Sequence, residues 1–223
     1  MAATRWLPLE SNPDVMNKYV RALGVPTDWE FSDVYGLDPE LLLMVPRPVI
    51  AVVLLYPVSE KSEKELIGEV VSPPGVYFMK QTISNACGTV GIIHALLNNE
   101  DTIKLDAEKH LRKFLESTKA LSAEEKAKYL EDDTAFGDAH EESAQEGQTQ
   151  APDRDEKVNL HFVAFVHHNG DLIELDGRKD GPVKHGPTTP DTLLEDSAEV
   201  VKKFMARDPE ELNFNVIALV KSE

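Results

Sequence analysis

The sequence predicts an α+β domain with a largely antiparallel central sheet, and three observations carry that expectation. Its strand-like and helix-like segments follow one another without a regular βαβ alternation. Asn169-Gly170, set between two apolar runs, is the strongest short hairpin signal a sequence offers. Val49 to Tyr56 is an unbroken apolar run rich in β-branched residues, which suits a central strand covered on both faces. A chain of 223 residues with 41% hydrophobic content can bury one sizeable core without a second domain, so 1–223 reads as a single unit.

Asn12 and Pro13 supply a helix N-cap and first position, and Val15, Tyr19 and Leu23 recur with helical spacing until Gly24 ends the run. Phe31 to Tyr35 reads as a short strand, and Asp38-Pro39-Glu40 opens a short helix that Pro46 and Pro48 stop. After the central strand, Lys61 to Glu69 is charged and loop-like. Ser72-Pro73-Pro74-Gly75 is a turn cluster, so regular structure resumes near Val76. A helix is expected from Ala86 to Leu97, with Val90, Ile93 and Leu97 on one face. Two amphipathic helices follow, around Asp106 to Thr118 and around Ala123 to Leu130, the second with Ser122 as cap and Glu125 as its capping-box partner. Gly137 to Glu156 has no large apolar side chain and reads as a mobile surface crossing of unusual length. Val158 to His167 and Leu172 to Asp176 form the hairpin, Thr192 to Met205 a helix, and Phe214 to Val220 a last strand.

Forty acidic against 23 basic side chains give a formal charge of -17, which opposes binding to nucleic acid or anionic lipid and favours a cationic partner. The single cysteine allows neither an intramolecular disulfide nor a set of thiolates with zinc spacing, so a reducing compartment and no metal or cofactor are expected. No apolar run has the length of a signal peptide or a membrane span, which leads to the expectation of a cytoplasmic protein, with the nucleus also open to it. No repeat or heptad points beyond a monomer.

The lone cysteine, Cys87, follows the polar run Gln81-Thr82-Ile83-Ser84-Asn85 and stands near the start of a predicted helix. Peptide dipoles and free N–H groups there stabilise a thiolate, the form in which cysteine is a nucleophile. Most lone intracellular cysteines are small core residues. The polar neighbours and the helix start argue against that here. Gly88 would let a substrate backbone approach, and Gln81 can offer a side-chain N–H to an oxyanion, although taken alone it reads rather as a solvated glutamine.

A cysteine nucleophile needs a base, and the hairpin chooses among seven histidines. If Asn169 and Gly170 are the central turn residues, His168 pairs with Asp171 and Val163 comes to face Asp176. His161, two residues from Val163, then shares a sheet face with Asp176 at roughly 7 to 8 Å, within side-chain reach. His167 is opposite Leu172, His168 belongs to the turn, and His140 lies in the crossing. His94, two turns along the helix from Cys87, reads as packed structure.

Gln81 to Gly88, Leu160-His161-Phe162 and Glu174-Leu175-Asp176-Gly177 resemble, in order and spacing, the signatures of ubiquitin C-terminal hydrolases. Arg5-Trp6-Leu7-Pro8-Leu9-Glu10 and Phe214 to Leu219 extend the likeness from about Thr4 to Leu219, most nearly to the short, L3-type members. The resemblance implies a knotted α/β/α sandwich with a papain-like centre, hydrolysing the bond after ubiquitin's C-terminal glycine. Cys87 would be nucleophile, His161 base and then acid, Asp176 its orienting partner, and Gln81 with the Cys87 N–H the oxyanion hole. It implies that 137–156 is a crossover loop over the active site, admitting only small or unfolded leaving groups. It assigns ubiquitin contacts to Pro8, Leu9 and Glu10, to Glu146 and Gly147, and to Leu212, Asn213 and Phe214, with NEDD8 as a second modifier to be considered. The acidic crossing suits the arginines of ubiquitin's tail, though acidic loops also serve simply as solvated surface. Ser59 to Pro74 is shorter than the corresponding stretch of L3-type members, which makes transfer of a binding role there unsafe. The competing expectations are a ubiquitin-binding or stabilising protein with negligible turnover and, last, a general papain-like peptidase.

Overall fold

The computed structural model describes residues 5–64, 66–148 and 158–222. Its first helix, α1 (Pro13–Leu23), begins as its sequence dictates: the Asn12 side chain accepts from the Asp14 N–H, and Gly24, at φ 95°, closes the last turn. Then follow β1 (Trp29–Asp33), α2 (Pro39–Leu42) and β2 (Val49–Pro57). The stretch read as loop contains a two-residue strand, β3 (Glu69–Val70), that adds to a sheet edge. Regular structure resumes at α3 (Cys87–Leu97), later than the expected Val76. Helices α4 (Glu100–Ile103), α5 (His110–Thr118) and α6 (Ala123–Asp132) come next, and the Ser122–Glu125 capping box opens α6 as expected.

The expectation that 137–156 is an irregular crossing needs correction. Its first part belongs to α7 (Thr134–Ala144), whose Asp133 cap accepts from the N–H groups of Ala135 and Phe136. The helix is held by Phe136, just ahead of the window, and by His140, Ser143 and Ala144, which are buried although none is a large apolar residue. Apolar periodicity does not register such residues. Residues 145–148 follow the helix, and the remainder of the crossing, 149–156, lies outside the described residues.

The chain continues through β4 (Leu160–His168), β5 (Asp171–Leu175), β6 (Val183–Pro187), α8 (Leu193–Arg207) and β7 (Asn215–Lys221). The strands form one sheet in the order β1-β7-β2-β4-β5-β6-β3, and every strand pairing among the described residues is antiparallel. Strand alternation sends Ala51, Val53, Phe162, Ala164 and Val166 into one core with α1, α3 and α5, and Val52, Leu54, Val163 and Phe165 into another with α2 and α8. Two helical layers therefore enclose the sheet, an α/β/α arrangement. The hairpin ladder runs from His168 opposite Asp171 to Ala164 opposite Leu175, the register read from the turn. It places His161 near the start of β4, beside Tyr56 of β2, and Asp176 just beyond β5.

Candidate active site

Cys87 is the first residue of α3 and is half-buried. The N-cap is Ala86, and none of the polar side chains before it caps the helix. The orphan N–H groups of the first turn are thus left for the thiolate. Burial pushes the Cys87 thiol up. His161, and backbone N–H groups of Phe162 and Gly88, outweigh that and hold it below the ordinary 9.0.

His161 Nε2 stands 2.7 Å from Asp176 Oδ1, with both side chains buried. Burial would lower the imidazole, but Asp176 on one side and Cys87 on the other raise it to about 9. Burial raises Asp176, yet His161 and the Arg178 N–H, at 2.9 Å from Oδ1, bring it below its usual 3.8. A lowered thiol and a raised imidazole in contact describe an ion pair that titrates as a unit. The hairpin arithmetic had placed the base and its carboxylate side by side; the fold adds the thiol.

Gln81 is fixed from behind: its N–H donates to Gly177 O at 2.9 Å, and a Cβ on Gly177 would come within 3.0 Å of Gln81 Cβ. The turn that carries Asp176 therefore also positions Gln81. Its side-chain Nε2 donates one hydrogen to Ile83 O at 3.2 Å, and a carboxamide has a second. Gln81, Cys87 and His161 line one pocket.

His94 is fully buried, stacked on Phe78 at 5.4 Å between ring centroids, with Nε2 accepting from Met79 N–H at 3.0 Å. Burial lowers it to about 4, so it is neutral packing. His167 accepts from the Gly170 N–H at 3.1 Å, His168 is 3.0 Å from Pro74 O, and His140 bridges Leu7 O at 2.6 Å and Thr89 Oγ1 at 2.8 Å. Sequence reasoning passed over two further carboxylate-bound histidines, His110 with Asp133 at 2.9 Å and His185 with Glu174 at 2.7 Å, because their partners come from elements whose register no local turn specifies.

The N-terminal segment crosses the start of α3: Arg5 bridges Ser84, Trp6 N–H donates to Ser84 O at 3.0 Å, and Asn85 Nδ2 donates to Trp6 O at 3.0 Å. That path delivers Pro8, Leu9 and Glu10 to a pocket shared with Cys87 and Phe162. Gly88 serves this packing rather than a substrate backbone, since a Cβ there would come within 3.0 Å of Leu9 Cβ and 3.4 Å of Phe162 Cε2. Gly147 lies against the Glu10 carboxylate, and Glu146 is ion-paired with Lys18 of α1. Leu212, Asn213 and Phe214 precede β7; Leu212 is 84% exposed, and Asn215 Nδ2 reaches Ser11 O at 3.3 Å, joining this surface to the N-terminal segment.

Residues 6–206 match the family model of "Ubiquitin carboxyl-terminal hydrolase, family 1". The chain is 62% identical over 208 residues to a ubiquitin carboxyl-terminal hydrolase of Aplysia californica, covering 92% of this chain and 97% of that protein. It is 48% identical to ubiquitin carboxyl-terminal hydrolase 3 of Arabidopsis thaliana, covering 99% and 96%. It is 45% identical to isozyme L1 of Rattus norvegicus, covering 96% and 98%. Its fold is similar to the crystal structure of the Trichinella spiralis UCH37 catalytic domain bound to ubiquitin vinyl methyl ester, with TM-score 0.82, 24% identity, and coverage of 100% and 98%.

Proposed function

The chain belongs to the ubiquitin carboxyl-terminal hydrolase family, cysteine-type deubiquitinating enzymes, and on that premise we propose that Cys87, His161, Asp176 and Gln81 do its chemistry. One observation carries the assignment: His161 holds Asp176 at 2.7 Å, and against its burial it is raised to about 9 by Asp176 first and then by the Cys87 thiol, which it lowers in turn. The Cys87 thiolate attacks the carbonyl carbon of ubiquitin's last glycine, and the oxyanion faces the Gln81 Nε2–H and the Cys87 N–H. The bond to the leaving group breaks as His161 gives its proton to that group, leaving a thioester on Cys87. Neutral His161 then takes a proton from water as the water attacks the thioester; the C–S bond breaks, ubiquitin's C-terminal acid leaves and loses its proton to solvent, and the Cys87 thiolate is regenerated beside protonated His161. Asp176 keeps the ring oriented through both steps.

Pro8, Leu9 and Glu10 would receive the ubiquitin tail, which their place in the pocket beside Cys87 supports, with Glu146, Gly147, Leu212, Asn213 and Phe214 extending the contact surface. Small or unfolded leaving groups are the favoured substrates on this reading, because Cys87 is half-buried at the meeting of two pockets. The test is incubation with ubiquitin bearing a thiol-reactive C-terminus. A covalent adduct absent in Cys87→Ala is expected, and no adduct together with no release from a C-terminal amide would overturn the assignment. Ubiquitin fused to a short peptide should be cleaved faster than ubiquitin fused to a folded domain; equal rates would remove the size preference. The same amide built on NEDD8 reads the second modifier: release that is lost in Cys87→Ala would add it as a substrate, and no release would remove it.

A further inference from the structure

We propose that the pocket on the His161 side of Cys87 is a leaving-group subsite that favours acidic residues directly after the scissile bond. This rests on the hydrolase reading and deepens it. Cys87 lines two pockets of different character. One is mainly apolar and holds Leu9, Leu55 and Phe162; the other holds Gln81, His161, Arg5 and Arg178. Acyl transfer requires the group that protonates the departing amine to stand on the leaving side. His161 lines only the second pocket, so the acyl tail belongs to the first and the leaving group to the second.

The lining of that second pocket carries two guanidiniums and no carboxylate among the described residues, in a chain with 40 acidic and 23 basic side chains. Both arginines sit on anchored backbone. Arg178 N–H donates to Asp176 Oδ1 at 2.9 Å, and the turn beyond it is tied by Lys179 N–H to Asp176 O at 3.0 Å and by Lys80 Nζ to Lys179 O at 2.6 Å. Arg5 bridges Ser84, two residues past Thr82 on the segment leading to Cys87. Arg178 Nη2 also meets Glu63 Oε2 at 2.8 Å, but both side chains are partly exposed and a guanidinium fork has five N–H groups, so one ion pair does not exhaust it. A carboxylate on the leaving residue can share that fork, while a lysine or arginine there meets like charge.

The experiment compares kcat/KM for ubiquitin extended at its C-terminus by Asp-Glu, Ser-Gly or Lys-Arg ahead of one common short peptide. At low salt the order acidic, neutral, basic is expected, with about 3- to 10-fold between the extremes, the scale of partly exposed ion pairs. The spread should shrink at high salt. Arg178→Gln and Arg5→Gln should each narrow the acidic-to-basic ratio, and Arg178→Lys should retain more of it than Arg178→Gln. Because the ratio is read on one preparation, a loss of folded protein cancels. Equal rates for the three extensions, a reversed order, or a ratio unchanged in both glutamine variants would overturn the subsite while leaving the hydrolase standing. Release from none of the three would overturn both.

Discussion

Two histidines on neighbouring parts of one sheet each hold a buried carboxylate at 2.7 Å, His161 with Asp176 and His185 with Glu174, and they differ in what else touches the pair. Glu174 also takes Lys179 Nζ at 2.5 Å, and His185 lies against the Phe165 ring at 5.8 Å, so that cluster is neutralised and closed. Asp176 instead takes a backbone N–H from Arg178, and its histidine meets a thiol beside solvent. A histidine–carboxylate pair is thus a structural motif by default. It becomes a catalytic one when the imidazole also meets a group that can react.

The largest expected effect separates the two pairs directly. Cys87→Ala and His161→Ala should each cut kcat by between about 10³ and 10⁶, as removal of one member of an interdependent set does. His185→Ala should instead destabilise the fold by about 3 kcal/mol, because it leaves Glu174 buried with a single partner, while the folded fraction keeps its turnover. Denaturant unfolding alongside kcat per folded molecule checks this; comparable loss of turnover in both histidine variants would erase the distinction.

Next in size, Asp176→Asn should lower kcat by about 10² to 10⁴ through the wrong tautomer and orientation of His161, with the fold retained. Single-turnover kinetics on a ubiquitin amide would show it.

The third test is pH. Activity should follow a bell, rising on the acid side as the lowered Cys87 thiol ionises and falling on the alkaline side near pH 9 as His161 loses its proton. Stability carries the same signature: His161, raised from 6.5 to about 9 by folding, stabilises fully below pH 6.5 and loses that contribution as pH rises through about 9. Asp176, lowered from 3.8, contributes above that value and loses its contribution as pH falls through its folded pKa. In Cys87→Ala, one cause of the raised imidazole is gone, so a direct titration of His161 should show its pKa moving down. An unmoved pKa would uncouple the two residues.

The smallest effect concerns His167, which accepts from the Gly170 N–H in the hairpin turn. His167→Ala should cost about 1 kcal/mol of stability and leave kcat unchanged, the reverse of His161→Ala. Chemical denaturation and steady-state kinetics on the two variants decide it.

What was legible in the sequence depended on range. Asn12-Pro13 and Gly24 set α1, and Ser122 with Glu125 set the start of α6, through hydrogen bonds between residues a few positions apart. α7 was missed because it is kept by His140 reaching Leu7 and Thr89, contacts across the whole fold. Gly88 was given to the substrate because nothing near it in the chain revealed Leu9 and Phe162 above it.

By itself the sequence determined the pairing of His161 with Asp176. A two-residue turn fixes the ladder that leads away from it, and one backbone register then carries a side-chain prediction from the His168–Asp171 pair to His161 on one arm and Asp176 on the other. Only the tertiary structure decided that the pair would meet the Cys87 thiol, which arginines would stand on its open side, and that Glu174 and His185 would form a closed counterpart. Those contacts join segments whose relative placement depends on the packing of both cores, and long-range packing leaves no short-range period in the chain to be read.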